Sequence, residues 1–141
     1  MPLPILIVDD SAVVRAFHAY ILRSAGFEVV EAENGFTALE RLHAIPCALA
    51  IVDVNMPHMD GFTLIREIRA NAPTRSLPVI VVSTEQEAED KRMGFDAGAD
   101  VYVVKPTQPD ELMEHVRTLM ARVAAPTPLG ARRSRLAPLA S

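Results

Sequence analysis

The sequence contains a single cysteine, Cys47. No internal disulfide can form, which fits a reducing compartment. It has no run of about 18 apolar residues, which excludes a helical membrane span. The apolar start, Met1-Pro2-Leu3-Pro4-Ile5-Leu6-Ile7-Val8, lacks a basic region and runs into Asp9-Asp10. It reads as a strand and not as a secretory leader, so a cytoplasmic location is expected. No internal repeat is found. The four histidines, His18, His43, His58 and His115, lack metal-ligand spacing and read as surface or internally satisfied residues. A formal net charge of −4 argues against a general nucleic-acid binder.

What is present is apolar material: 50% of the 141 residues are hydrophobic and 23% are charged, enough for one core of ordinary size. All 18 Asp and Glu residues lie before position 124, whereas Arg132, Arg133 and Arg135 lie after it. The stretch 124–141 carries three prolines, Pro126, Pro128 and Pro138, and no sustained apolar period. The expected organisation is one domain over 1–123 and a flexible Pro/Ala/Arg-containing tail over 124–141.

Short apolar runs alternate with helical patterns. Strands are expected at Pro4–Asp9, Phe27–Ala32, Ala48–Asp53, Leu77–Ser83 and Asp100–Lys105. Helices are expected at Ala12–Ala25, Phe36–Ala44, Phe62–Ala70, Glu87–Ala97 and Asp110–Val123. The first helix presents Val13, Val14, Phe17, Tyr20, Ile21 and Leu22 as a broad apolar face. Gly26 and Gly98 stand where C-terminal caps belong. Cys47 is expected as a small buried hydrophobe, Met56 and Met59 as packing anchors, and Glu85–Arg92 as a solvated helix start. Strict alternation with long crossovers predicts a doubly wound α/β fold: five parallel strands in order 2-1-3-4-5, with helices on both faces.

In such a sheet all strand C-termini share one edge, where ligands gather. The first strand ends in Asp9-Asp10, the third in Asp53, the fourth in Ser83-Thr84 and the fifth in Lys105-Pro106. The second ends in Glu31-Ala32-Glu33, outside that pocket. Like charges brought together call for a positive partner. Carboxylates and a backbone carbonyl are oxygen ligands of the kind Mg²⁺ prefers, with Mn²⁺ as the alternative. Asp9, Asp10 and Asp53 leave positions open for water and a substrate oxygen, which suits phosphoryl transfer. Lys105 supplies a point charge and Ser83 a hydroxyl for phosphoryl oxygens. The nucleophile is then Asp53 or a water.

The ordered series Ile5-Leu6-Ile7-Val8-Asp9-Asp10-Ser11, Ile51-Val52-Asp53-Val54-Asn55-Met56-Pro57-His58-Met59-Asp60-Gly61, Val81-Val82-Ser83-Thr84-Glu85 and Gly98-Ala99-Asp100-Val101-Tyr102-Val103-Val104-Lys105-Pro106 resembles a response-regulator receiver domain of the stand-alone, CheY-like chemotaxis type. The resemblance spans residues 4–123. It implies that Asp53 is the phosphoacceptor, and that Asp10, Asp53 and the Asn55 carbonyl ligate Mg²⁺ directly, with Asp9 acting through a bound water. It further implies that Ser83 and Lys105 hold phosphoryl oxygens, that Lys105-Pro106 is cis, and that Ser83 and Tyr102 form the switch. Asn55, Thr84 and Glu85 then flank the approach to the phosphoryl group. Thr84 stands where the family often has alanine or glycine, and Thr107 where it often has phenylalanine.

The resemblance implies a signalling protein and not an enzyme, with phosphoryl chemistry confined to Asp53. The expected partners are a CheA-like sensor histidine kinase or a histidine phosphotransfer protein, an output protein such as the flagellar motor switch, and a phosphatase. A monomer is expected. A phosphorelay shuttle or phosphate sink is the alternative. A haloacid-dehalogenase-like phosphatase also uses a nucleophilic aspartate and Mg²⁺, but Asn55 stands where its acid–base aspartate belongs. Flavin binding is disfavoured, because Asp9-Asp10-Ser11 puts acids where a phosphate cradle needs glycine. A receiver-like module that is never phosphorylated would predict a damaged site.

Overall fold

The structure, a computed structural model, describes residues 3–124. The elements run β1 (Ile5–Val8), α1 (Ala12–Ser24), β2 (Val29–Ala32), α2 (Gly35–Ala44), β3 (Leu49–Asp53), α3 (Gly61–Ala70), β4 (Val79–Ser83), α4 (Ala88–Ala97), β5 (Val101–Val104) and α5 (Pro109–Ala124). The sheet is parallel in the order β2-β1-β3-β4-β5, as the alternation predicts. A 3-10 turn over Ala72–Thr74, around Pro73, was not anticipated. The expectations for the tail fall on residues 125–141, outside the described residues; Ala124 still belongs to α5.

Side-chain alternation sorts the strands onto two cores. Ile5, Ile7, Leu49, Ile51, Ile80, Val82 and Val103 pack with α1 and α5. Leu6, Val8, Ala50, Val52, Val79 and Val81 pack with α2 and α3 on the opposite face. Both faces are covered, which is why these strands read as continuous apolar runs. Three helices start on side chains that accept a backbone N–H: Ser11 from Val14, Asn34 from Thr37, and Asp60 from Thr63. Asp60 is therefore a helix cap, favoured there by the helix dipole. Gly26 and Gly98 follow or end helices at φ 97° and 121°, a region that favours glycine.

Some boundaries differ from expectation for local reasons. Phe27 N–H bonds back to Leu22 in the α1 terminus, so β2 starts only at Val29. Leu77 N–H closes the 3-10 turn on Thr74, so β4 starts after Pro78.

The α1 reading needs a larger correction. His18, Ala19 and Leu22 are its buried residues, whereas Val13, Phe17 and Tyr20 are 80%, 44% and 73% exposed. This helix is apolar around most of its circumference, so periodicity alone does not choose the inner stripe. Packing on the sheet places small Ala19 at the close approach. Cys47 is only half-buried, its thiol donating to the Ile45 carbonyl at 3.4 Å, and burial pushes its pKa up. Met56 and Met59 are buried, as expected; Glu85–Arg92 is exposed except for half-buried Asp90, and its helix begins only at Ala88.

Register carries the strand ends to a common edge. Val8 pairs with Val52, so Asp9 and Asp53 leave adjacent strands side by side. Ser83 pairs with Val104, which places Lys105 one residue beyond it. Gly61 then closes the loop after β3: a Cβ built there would lie 2.5 Å from the Asp53 carbonyl oxygen and 2.8 Å from the Val54 Cα. Both are backbone atoms that cannot swing away. Gly61→Ala is expected to destabilise the protein by about 1–3 kcal/mol, read as a lower urea midpoint with an unchanged slope. A midpoint equal to wild type would show that the loop yields at no cost.

Candidate functional site

The C-terminal edge of the sheet gathers the expected groups. Carboxylate oxygens of Asp9, Asp10 and Asp53 lie within 4.8 Å of one another. Asp9 and Asp53 are buried, Asp53 being 4% exposed, while Asp10 faces solvent. Lys105 reaches across from the end of β5, its Nζ 3.1 Å from Asp53 Oδ1 and 3.3 Å from Asp9 Oδ2. The Lys105–Pro106 peptide is cis, as the resemblance implies.

Asp9 is held from the opposite side. Its Oδ1 accepts the Ser11 N–H at 2.9 Å, and its carbonyl accepts from Arg15 Nη1 at 2.7 Å. Arg15 is itself fixed by Glu31 at 3.1 Å, so the acid at the end of β2 serves a structural pair outside the pocket.

Burial is the first cause that raises the Asp53 pKa, followed by the nearby Asp9 charge. Lys105 and the Asn55 backbone N–H act in the opposite direction without cancelling them. The cleft thus holds a carboxylate that still lacks positive charge, beside two more carboxylates. Three oxygen donors, one of them facing solvent, fit a hard divalent cation.

Ser83 is fully buried, and its Oγ accepts the Glu85 N–H at 3.0 Å. The carbonyl of the same Glu85 accepts from Tyr102 Oη at 2.8 Å. One backbone residue therefore joins the hydroxyl to the half-buried tyrosine, whose pKa burial pushes up. Gly94 of α4 lies against that ring: a Cβ there would sit 3.0 Å from Cδ2. Asn55 and Thr84 are exposed at the rim, Asn55 Nδ2 being 3.5 Å from Thr84 Oγ1.

Two neighbours of the site were not singled out for it. His18 is 2% exposed, and its Nε2 lies 3.2 Å from the buried Thr107 hydroxyl. Burial holds its imidazole below the usual range; Asp9 works against this, and Lys105 adds to it. His18 is thus an internally satisfied histidine, one of the two expected cases. The pair is 89 residues apart in sequence, so no motif spacing signals it.

Residues 5–117 match the response regulator receiver domain family. The chain belongs to that family. Receiver domains are phosphoacceptor signalling domains that bind Mg²⁺ at an acidic site and interact with histidine kinases and output proteins. Over 103 residues the chain is 40% identical to a gliding motility regulatory protein of Myxococcus xanthus, matching 73% of this chain and 13% of that protein. Over 120 residues it is 32% identical to the phosphate regulon transcriptional regulatory protein PhoB of Escherichia coli, matching 85% of this chain and 52% of that one. The chain therefore spans about half or less of these two curated relatives.

Among solved structures, the chemotaxis protein CheY4 of Vibrio cholerae superposes with a TM-score of 0.80 at 32% identity, covering 84% of this chain and 99% of that one. The receiver domain of a Pseudomonas aeruginosa sensor histidine kinase, solved with magnesium in its active-site cleft, gives 0.79 at 26% identity. That match covers 86% of this receiver and 99% of the other chain. Among the described residues, no helix is long and apolar enough to cross a membrane.

The electrostatics of Asp53 have a measurable consequence. Its folded-state pKa lies above the unfolded value, so folding favours the protonated form. That contribution is fully present below the unfolded pKa and is lost as pH rises through the folded one. Asp53→Asn removes the charged form altogether. In chelator-treated buffer the variant is expected to have a higher urea midpoint than wild type at neutral pH. The difference should shrink as pH falls into the carboxylate range. A gain that does not change with pH would contradict the assigned cause.

Proposed function

We propose that this receiver is a switch of a two-component system, phosphorylated on Asp53. The observation that carries the reading is the juxtaposition of Asp9, Asp10 and Asp53 within 4.8 Å, with Lys105 Nζ 3.1 Å from Asp53. The Asp53 carboxylate attacks the phosphorus of a phosphohistidine on a sensor kinase. The P–O bond to Asp53 forms as the P–N bond breaks, and the histidine leaves with its electron pair. Asp10, Asp53 and the Asn55 carbonyl would hold Mg²⁺, with Asp9 behind a bound water. When bound, the cation supplies charge neutralisation for phosphoryl oxygens. Lys105, 3.1 Å from Asp53 Oδ1, provides a second positive charge. Water enters later past Asn55, Thr84 and Glu85, where β-branched Thr84 narrows the approach.

The Ser83–Glu85–Tyr102 chain supports a readout. A phosphoryl group on Asp53 offers new acceptor oxygens to Ser83. If the hydroxyl turns toward them, it releases the Glu85 N–H, and the segment that holds the Tyr102 hydroxyl loses one of its ties. The ring then turns inward, and the surface formed by α4, β5 and α5 changes shape.

The output we propose is chemotactic, through a flagellar motor switch protein. The likeness to a chemotaxis protein over nearly its whole length supports this reading. A domain over 1–123, a monomeric state and a cytoplasmic location complete the proposal.

Intact mass after incubation with Mg²⁺ and acetyl phosphate tests the chemistry. One phosphoryl adduct is expected on wild type, and none on Asp53→Asn or with chelator present. An adduct that survives Asp53→Asn would overturn the assignment. The same phosphorylated protein should bind a motor switch protein more tightly than the unmodified one. Transfer of its phosphoryl group to a histidine phosphotransfer protein, without such binding, would favour the relay shuttle.

A further inference from the structure

Lys105 bridges two acids, but the chain that carries it needs its own anchor. Its backbone N–H bonds to the Ser83 carbonyl at 2.7 Å, and beyond that point β5 has ended. Two residues later Thr107 is buried, with Oγ1 3.2 Å from His18 Nε2, one group donating and the other accepting. Neither side chain makes a second hydrogen bond among the described residues. Val14, Phe17 and Pro106, with Thr84 and Lys105, line the open groove of about 400 Å³ beside the pair, so its walls are largely apolar. A buried polar group in such a setting depends on its partner.

His18 also belongs to the helix that starts at the acids. Ser11 caps α1 and donates its N–H to Asp9 Oδ1 at 2.9 Å. Two turns along the same helix, His18 holds the segment that follows Lys105. Helix α1 thereby sets one distance: that between the acid that faces Lys105 and the loop that delivers it. Among the described residues, this is the only side-chain hydrogen bond from α1 to the loop between β5 and α5.

We infer that the His18–Thr107 hydrogen bond sets the position of Lys105 Nζ over Asp53, making both residues positioning residues for phosphoryl transfer. The inference rests on the reading of Asp53 as phosphoacceptor. A hydroxyl–imidazole bond then does the anchoring of the segment that follows Lys105.

The test compares Thr107→Val, which keeps the shape and removes the hydroxyl, with Thr107→Ser, which keeps the hydroxyl. Two readouts are taken: the NMR signals of the Lys105 side chain in metal-free protein, and the rate of phosphoryl uptake from acetyl phosphate. Thr107→Val should shift the Lys105 signals and slow uptake roughly tenfold, as expected of a displaced charged contact. Thr107→Ser should leave both close to wild type. His18→Leu and His18→Gln repeat the comparison from the other side, the amide of Gln restoring a partner for the hydroxyl. Adding His18→Leu to Thr107→Val should slow uptake little further, because the bond is already gone.

Wild-type signals and rate in Thr107→Val and His18→Leu would overturn the inference. So would a Thr107→Ser variant as impaired as Thr107→Val. If wild type takes up no phosphoryl group, the Asp53 reading fails, and the Lys105 signals alone decide the positioning claim.

Discussion

Two buried carboxylates, Asp9 and Asp53, emerge side by side from adjacent strands, with Asp10 close by in solvent. Their mutual repulsion is the constraint on which the site depends. A parallel sheet forces it, because every strand brings its C-terminal residue to the same edge. Burial strengthens the repulsion by removing water. Lys105 does not offset burial and the Asp9 charge together, since Asp53 remains harder to ionise than a free carboxylate. What remains is an unmet demand for positive charge at a place open to solvent. A divalent cation answers it with charge, and a phosphoryl donor arrives with its own metal-binding oxygens.

The supports around the edge follow from that demand. Lys105 must stand against two acids at once, so its strand and the loop beyond it must be held. The backbone bond to Ser83 holds one side, and the His18–Thr107 bond holds the other. Asp9 is fixed by the Ser11 amide and by Arg15 on its carbonyl. Gly61 lets the loop after β3 fold against the Asp53 backbone. The Ser83–Glu85–Tyr102 link is built differently, from single hydrogen bonds to one exposed backbone residue. In the proposed mechanism this link is the part that would change, and the signal would be read there.

Much of this was legible in the residues. Continuous apolar runs such as Ile5-Leu6-Ile7-Val8 announced strands buried on both faces, and their spacing announced parallel crossovers. Once the topology was known, the strand-end residues named the site. The inner stripe of α1 was not legible, because Val13, Phe17 and Tyr20 make its outer side as apolar as its inner side. Which side meets the sheet is decided by tertiary fit, and the buried polar residue there, His18, carries no sign in the local pattern. Its partner Thr107 was visible as a departure from the family, but its consequence was not. That bond joins segments 89 residues apart, and only the folded chain brings them together.

The most direct test of the charge argument is a calorimetric titration of Mg²⁺ into wild type and into Lys105→Met. The lysine and the cation relieve the same repulsion, so removing the lysine should make Mg²⁺ bind several-fold more tightly, with the difference reduced at high salt. Equal or weaker binding to Lys105→Met would mean that the acids are not competing for positive charge, and the account of this edge would fail.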